Sequence, residues 1–327
     1  MQSFIFLIAG LVLLIVGGEL LVRGSVKTAS RLGVSPLVIG LTLVGFGTST
    51  PELVTSVQAS LSGAPGIAIG NIVGSNIANL LLILGVSALL APIAVKSSSL
   101  RRDGGVLIAV SVGFAALAVV WPLDRFVGAF FVLLLVAYMV YAFRQERVAG
   151  ADHGAAFDKA EALQEADTAL RPEAEDKGGG SILLPLLLAL AGLALVVFGG
   201  ILLVDGAVAI ARDFGISETV IGLTIVAIGT SMPELVTSIT AAIKKQSDVA
   251  FGNVIGSNIY NILGIGGFTG LISPVEIPDE IIRFDNPIMV AVTVLAVVFA
   301  WSGGRIGRVD GMVLLTGYAV YMFVLWP

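Results

Sequence analysis

Cysteine is absent from the 327 residues. That excludes a disulfide framework and thiolate chemistry, and it leaves the redox compartment unreadable. Histidine occurs once, as His153, so the imidazole and thiolate ligands favoured by copper and zinc are missing. Charge is scarce as well. Asp, Glu, Lys and Arg make up 13% of the chain, against about 25% in a soluble domain, so a water-facing surface cannot be built. No Ser-His or paired-Asp arrangement with a plausible base lies in the apolar stretches, and no enzyme activity or cofactor is expected. The formal charge of −5 says little, because nine of the 23 acids sit in one loop; no nucleic-acid partner is expected.

What is present is apolar sequence: 57% of the residues, with a mean hydropathy of +1.01. It falls into ten stretches, Phe4–Val22, Val34–Leu61, Ile67–Ile93, Val106–Trp121, Phe126–Phe143, Ile182–Val204, Val220–Ile243, Val249–Ile272, Pro287–Trp301 and Val309–Trp326. Each is near the roughly 20 residues that cross about 30 Å of hydrocarbon as a helix. Lipid leaves backbone groups no partner but their own segment, which enforces the helix. The expected fold is an all-α polytopic membrane protein with ten transmembrane helices. Met1-Gln2-Ser3 carries no cation and the first apolar run is long, so the first span is read as a helix rather than a cleaved leader. With both termini outside, 15 Lys and Arg residues fall in inside loops and only Arg125, Arg212 and Arg283 in outside loops. The positive-inside rule reads that split clearly.

The sequence repeats itself at an offset of 182 residues. Gly40-Leu-Thr-Leu-Val-Gly-Phe-Gly-Thr-Ser-Thr-Pro-Glu-Leu-Val-Thr-Ser56 returns as Gly222-Leu-Thr-Ile-Val-Ala-Ile-Gly-Thr-Ser-Met-Pro-Glu-Leu-Val-Thr-Ser238. Gly70-Asn-Ile-Val-Gly-Ser-Asn-Ile-Ala-Asn79 returns as Gly252-Asn-Val-Ile-Gly-Ser-Asn-Ile-Tyr-Asn261, and 25 of 46 positions match between Gly40–Gly85 and Gly222–Gly267 without a gap. Gly17-Gly18 maps more weakly onto Gly199-Gly200. Each half holds five spans, an odd number, so the second enters the membrane inverted. Residues 1–143 form an N-terminal repeat, 144–180 a cytoplasmic linker and 181–327 a C-terminal inverted repeat. Inverted repeats are an architecture of secondary transporters, with the site at their interface near the midplane. The linker holds nine of the 23 acids and ends in three glycines. It is read as a solvated connector, partly helical through Ala160–Leu170.

Glu52 and Glu234 stand in the middle of apolar spans, at matching places in the two halves. A carboxylate there costs roughly 2.5–3.5 kcal/mol on insertion scales and needs a compensating partner, which no Lys or Arg of the same stretch supplies. Two such groups facing each other carry a charge of −2, which one divalent cation balances and Na⁺ or H⁺ can balance in competition. Pro51 and Pro233 lack an N–H, so the carbonyls of Gly47 and Gly229 lose their helix partners. Freed carbonyls at membrane depth line a cavity or bind something; a plain packing kink is the blander alternative. Ser75 and Asn79 share a helix face, as do Ser257 and Asn261. Asn71, Asn76 and their copies Asn253 and Asn258 fit interhelical packing nearly as well. Oxygen ligands of these kinds suit Ca²⁺, whereas Mg²⁺ prefers to keep its waters. Glu19 and Arg23, four apart, are expected to pair locally rather than serve the site.

The motifs G-T-S-x-P-E and G-N-x-x-G-S-N-I-x-N, each present twice, resemble the alpha repeats of the sodium/calcium exchanger family of the calcium/cation antiporter superfamily. The compact chain looks like the prokaryotic type. The resemblance implies that Glu52 and Glu234 ligate Ca²⁺ with backbone oxygens of Thr48 and Thr230. It places Na⁺ among Ser49, Ser75, Asn79, Ser231, Ser257 and Asn261, with carbonyls near Gly45 and Ala227. It also implies that the first and sixth helices slide against a core of the second, third, seventh and eighth. Relatives that depend on K⁺ carry Asp where this chain has Asn261, which puts K⁺ dependence in doubt.

The expected function is therefore Ca²⁺ exchange for Na⁺ by alternating access. A Ca²⁺/H⁺ exchanger is the alternative, since the two glutamates could take protons instead, and a cation channel is the reading of a different class. The expected partners are Ca²⁺, Na⁺ and the lipid bilayer, with no obligate protein partner. The expected place is the cell membrane.

Overall fold

The computed structural model describes residues 2–32, 45–95, 100–148, 155, 157–159, 161 and 182–326. Ten helical segments follow one another among them. They are α1 (Gln2–Arg31), α2 (Gly45–Gly47 continued by Thr50–Leu61), α3 (Pro65–Leu90), α4 (Leu100–Val120) and α5 (Arg125–Val148). After the linker come α6 (Leu183–Phe214), α7 (Glu218–Thr230 with Met232–Ile243), α8 (residues 247–272), α9 (Ile281–Gly303) and α10 (Arg308–Leu325). Seven of them are long and apolar enough to cross a membrane, and the bent pair of α7 makes an eighth candidate. The chain is thus a multi-pass membrane protein. Most of the stretch expected to lead into α2 lies outside the described residues, as does most of Ala160–Leu170.

Burial sorts the helices into a centre and a rim. From Gly66 to Leu81, α3 is buried on every face, and α8 is buried all round from Val249 to Gly267. A helix apolar on all sides belongs in the middle of a bundle. On the rim, Ile5, Ile8, Phe126, Leu133, Leu184, Leu187 and Phe323 are more than half exposed, as lipid-facing side chains are.

The first and sixth helices run further than their apolar stretches, to 30 and 32 residues. At 1.5 Å per residue each spans about 45 Å, enough to carry its charged end through the headgroup layer. Glu19 and Arg23 form the expected ion pair where this extension of α1 begins. The two helices lie backbone to backbone. A Cβ on Gly17 would sit 2.8 Å from Val196 N and 2.9 Å from Gly192 O, and one on Gly199 would sit 2.9 Å from Gly10 O. Gly10 and Gly17 on α1 meet Gly199 and Gly192 on α6, while Gly24 meets Pro185 and Ala189 and Gly206 meets Ser3 and Leu7, so glycines spaced by seven on both helices build one seam.

Equivalent loops of the two halves make near-equivalent contacts with exchanged partners. Ile93–Ala94 (β1) pairs antiparallel with Arg305–Ile306 (β2), while Leu123 bridges Val275. Position 93 plus 182 is 275, and 123 plus 182 is 305. Ser111 on α4 and Thr293 on α9, also 182 apart, touch each other at 3.5 Å. The α2–α3 and α7–α8 turns place Gly63 and Lys245, again 182 apart, in the left-handed region at φ 71° and 62°. Outside the spans, Asp124 caps α5, accepting from the Phe126 and Val127 amides at 2.9 Å and from the Trp121 indole at 3.2 Å. The Val127 amide above all, then the indole, holds this carboxyl below its ordinary range.

Candidate cation site

The two Pro-Glu motifs break their helices as the prolines require. In α7 the halves meet at 49°. Ser49 and Ser231 sit at the two breaks with nearly identical backbone angles, φ −84°, ψ 5° and φ −81°, ψ 7°. That is the sparsely allowed bridge region, frequent at functional sites. Each serine occupies the N-cap of a half-helix whose first turn holds the glutamate, where the helix dipole favours a negative group.

An N-cap serine ordinarily accepts from its own helix. Neither does so here. Ser49 Oγ instead donates across to Glu234 Oε1 at 3.3 Å, and Ser231 Oγ donates to Glu52 Oε1 at 3.0 Å. The crossed pair ties each break to the acid of the other half. Both glutamates are buried, at 1% exposure.

The amides of α3 and α8 divide into two groups. Asn71 Nδ2 donates to Glu52 O at 3.1 Å and Ser56 Oγ at 2.9 Å, while its Oδ1 accepts from Thr230 Oγ1 at 3.0 Å. Asn253 Nδ2 repeats the pattern on Glu234 O, Thr237 Oγ1 and Ser238 Oγ. These two hold the half-helices in place. Asn79 Nδ2 donates to Asn258 Oδ1 at 2.8 Å and Asn258 Nδ2 to Asn76 O at 3.2 Å, which locks α3 to α8. Both helices take π-helical turns at the equivalent positions Asn79 and Asn261, within Asn79–Ile83 and Tyr260–Gly266. Such turns leave carbonyls out of the ordinary ladder and recur at functional sites.

Several buried acceptors have no hydrogen-bond partner among the described residues. They include Glu52 Oε2, Glu234 Oε2, Asn79 Oδ1, Asn253 Oδ1 and Thr48 Oγ1, and Asn261 lacks a partner on both amide atoms. Unpaired oxygens at this depth cost about 1–3 kcal/mol each, which a bound cation would offset. Among the described residues no group of three or more His, Cys, Asp and Glu gathers. The donor set is therefore two carboxylates with neutral oxygens, which fits a hard cation. Ser75 Oγ reaches Asn71 Oδ1 only at 3.5 Å. Ala227 is buried in α7, and Gly45 opens the described part of α2.

Three charged groups here escaped the sequence reading. Asp103 and Asp285, 182 apart, are buried at the starts of α4 and α9, each accepting from a tyrosine of the following helix: Tyr138 at 3.4 Å and Tyr321 at 2.8 Å. The repeat offset would have paired them. The third is Lys159. The linker, read as a solvated connector, sends this side chain into the core, where it is fully buried. Its Nζ donates to Ser49 Oγ at 3.0 Å and Ser257 Oγ at 2.5 Å and lies 3.7 Å from Glu234 Oε1. The acids around it disguised the uncharged run Gly154-Ala155-Ala156-Phe157 that leads up to it.

The model of the family described as sodium/calcium exchanger protein matches the chain twice, over residues 2–144 and 184–326. The sodium/calcium exchanger MaX1 of Methanosarcina acetivorans is 36% identical over 347 residues, covering 99% of this chain and 98% of its own. The inner membrane protein YrbG of Escherichia coli is 35% identical over 325 residues, 98% of this chain and 95% of its own. A solved structure of the sodium-calcium exchanger NCX_Mj, soaked with Na⁺ and Sr²⁺, is similar with a TM-score of 0.61 at 32% identity, covering 98% of both chains.

Proposed function

The chain belongs to the sodium/calcium exchanger protein family, and from that premise we propose that it exchanges Ca²⁺ for Na⁺ by alternating access, holding Ca²⁺ between Glu52 and Glu234. The single observation that carries the reading is the crossed pair of contacts, Ser49 to Glu234 and Ser231 to Glu52. It joins both acids to the opposite breaks and leaves one oxygen of each without a partner among the described residues, which supports the reading. One Ca²⁺ neutralises the two carboxylates. Backbone oxygens of Thr48 and Thr230 complete the Ca²⁺ ligands, while Na⁺ ions compete for the same charge and add the hydroxyl and amide oxygens of Ser49, Ser75, Asn79, Ser231, Ser257 and Asn261, with carbonyls near Gly45 and Ala227. A proton would need no such cage, which favours Na⁺ over H⁺ as counter-ion.

The architecture of this reading is two inverted five-helix repeats, residues 1–143 and 181–327, joined by the linker 144–180. Its supports are the two family matches 182 residues apart, the exchanged loop pairings and the contact of Ser111 with Thr293. In this reading α2 and α8 are the two remaining spans. Both termini lie outside and the linker faces the cytoplasm, by the distribution of Lys and Arg. The name of the Escherichia coli relative supports placement in the cell membrane.

Proteoliposomes decide the counter-ion. Uptake of ⁴⁵Ca²⁺ should require Na⁺ inside. Uptake into choline-loaded vesicles driven by an outward proton gradient alone would establish proton exchange in its place.

A further inference from the structure

The linker carries a cation into the molecule's centre, and the oxygens it meets are those assigned above to transported ions. The Lys159 ammonium contacts Ser49, Ser257 and Glu234 as described, and it lies over the Tyr260 ring, 5.4 Å from the centroid. Such a cation–π contact adds to the attraction where water is excluded.

The backbone around Lys159 is seated too. Ala155 N donates to Asp103 Oδ2 at 2.9 Å, so one of the two buried aspartates at the helix starts receives the linker. On α8, Gly256 offers bare backbone: a Cβ there would lie 2.9 Å from Ala155 O and 3.3 Å from Lys159 Cβ. A Cβ on Gly252 would strike Asp158. The equivalent glycines of α3, Gly70 and Gly74, offer the same bare face to Leu223 and Ala227 of α7. The groove on α8 thus takes linker residues where its counterpart on α3 takes the first half of α7. By the repeat offset, the sequence counterpart of that first half is residues 36–48.

We propose that Lys159 is a tethered competitor of the transported ions. The linker docks through Ala155, Asp158 and Lys159 on the Gly252/Gly256 groove and holds an ammonium in the cation site until metal ions displace it. The proposal rests on the reading of Glu52 and Glu234 as the ion carboxylates. The charge balance gives displacement its direction. One ammonium leaves two carboxylates with a net −1, whereas Ca²⁺ brings them to zero. A lysine is a compact point charge on a flexible stem, suited to entering and leaving.

Lys159→Gln removes the charge and keeps a polar, unbranched stem one atom shorter. In Na⁺-loaded proteoliposomes its half-saturating Ca²⁺ concentration should fall about 10-fold, as when a competitor holding about 90% of the sites is removed. Lys159→Arg should stay closer to wild type. A second readout needs no transport. In the otherwise cysteine-free chain, Ala155→Cys, at a position buried in the docked linker, should react slowly with a maleimide in cation-free medium, and saturating Ca²⁺ should speed the reaction. Wild-type Ca²⁺ dependence in Lys159→Gln would overturn the proposal. So would labelling of Ala155→Cys at the same rate with and without Ca²⁺. Transport abolished in Glu52→Gln and Glu234→Gln beside an unaltered Lys159→Gln sinks the tethered competitor alone. Transport unaltered in both glutamine variants sinks the site reading itself.

Discussion

Asparagines of one motif have different tasks, and the difference can be measured at single residues. Asn253 makes three hydrogen bonds that hold the α7 break, whereas Asn261 makes none among the described residues. Asn253→Ala should therefore cost about 1–3 kcal/mol of stability, read as a fall in melting temperature in detergent. Asn261→Ala should leave the melting temperature near wild type and weaken Na⁺ activation of Ca²⁺ transport. The sequence could nominate both, because both recur at the 182-residue offset. It could not separate them, since an amide that glues helices and an amide that meets an ion have the same composition and spacing. Glu52 and Glu234 were easier to find. An intramembrane carboxylate is costly enough to stand out alone, and two at matching positions stand out more.

Among elements, the α1–α6 seam is the most sensitive to volume. Gly17→Val would push a branched side chain into Val196 N and Gly192 O, already 2.8 and 2.9 Å from a bare Cβ. It should lower both melting temperature and transport. Gly113→Ala on α4 meets nothing within 4 Å among the described residues and should be neutral or slightly stabilising, by up to about 1 kcal/mol of helix propensity. The recurrence of Gly17-Gly18 as Gly199-Gly200 was visible in sequence. The seam was not, because Gly17 meets Gly192 rather than its own copy. The cap of α5 gives a pH test. With its carboxyl held below the ordinary range, Asp124 contributes stability above its unfolded pKa and loses it as pH falls through the folded value. The melting-temperature difference between wild type and Asp124→Ala should accordingly be full at neutral pH and shrink on acidification.

For the whole molecule, the proposed exchange needs one part to move and another to stay. Ser111 on α4 and Thr293 on α9 touch across the two halves away from α1 and α6, the helices expected to slide, whereas Val54 on α2 meets Gly200 on α6 at the sliding boundary. Ser111→Cys/Thr293→Cys, once oxidised, should transport near wild type. Val54→Cys/Gly200→Cys should stop transport until reduced; equal transport by both cross-linked proteins would argue against sliding. The helical class, the repeat and the broken helices were legible in the sequence because lipid, offset and proline each impose a local rule. The entry of Lys159 was not. It depends on a groove that two glycines open on α8 and an acid that α4 supplies, contacts with no local signature in the linker.

The most direct test of the central claim is equilibrium binding of ⁴⁵Ca²⁺ to the purified protein, with Na⁺ titrated against it. Two carboxylates around one ion predict saturable binding that Na⁺ displaces, weakened at least about 10-fold, or roughly 1.4 kcal/mol, in Glu52→Gln and in Glu234→Gln alike. Wild-type Ca²⁺ binding in both variants, equally displaced by Na⁺, would contradict a site between the two glutamates.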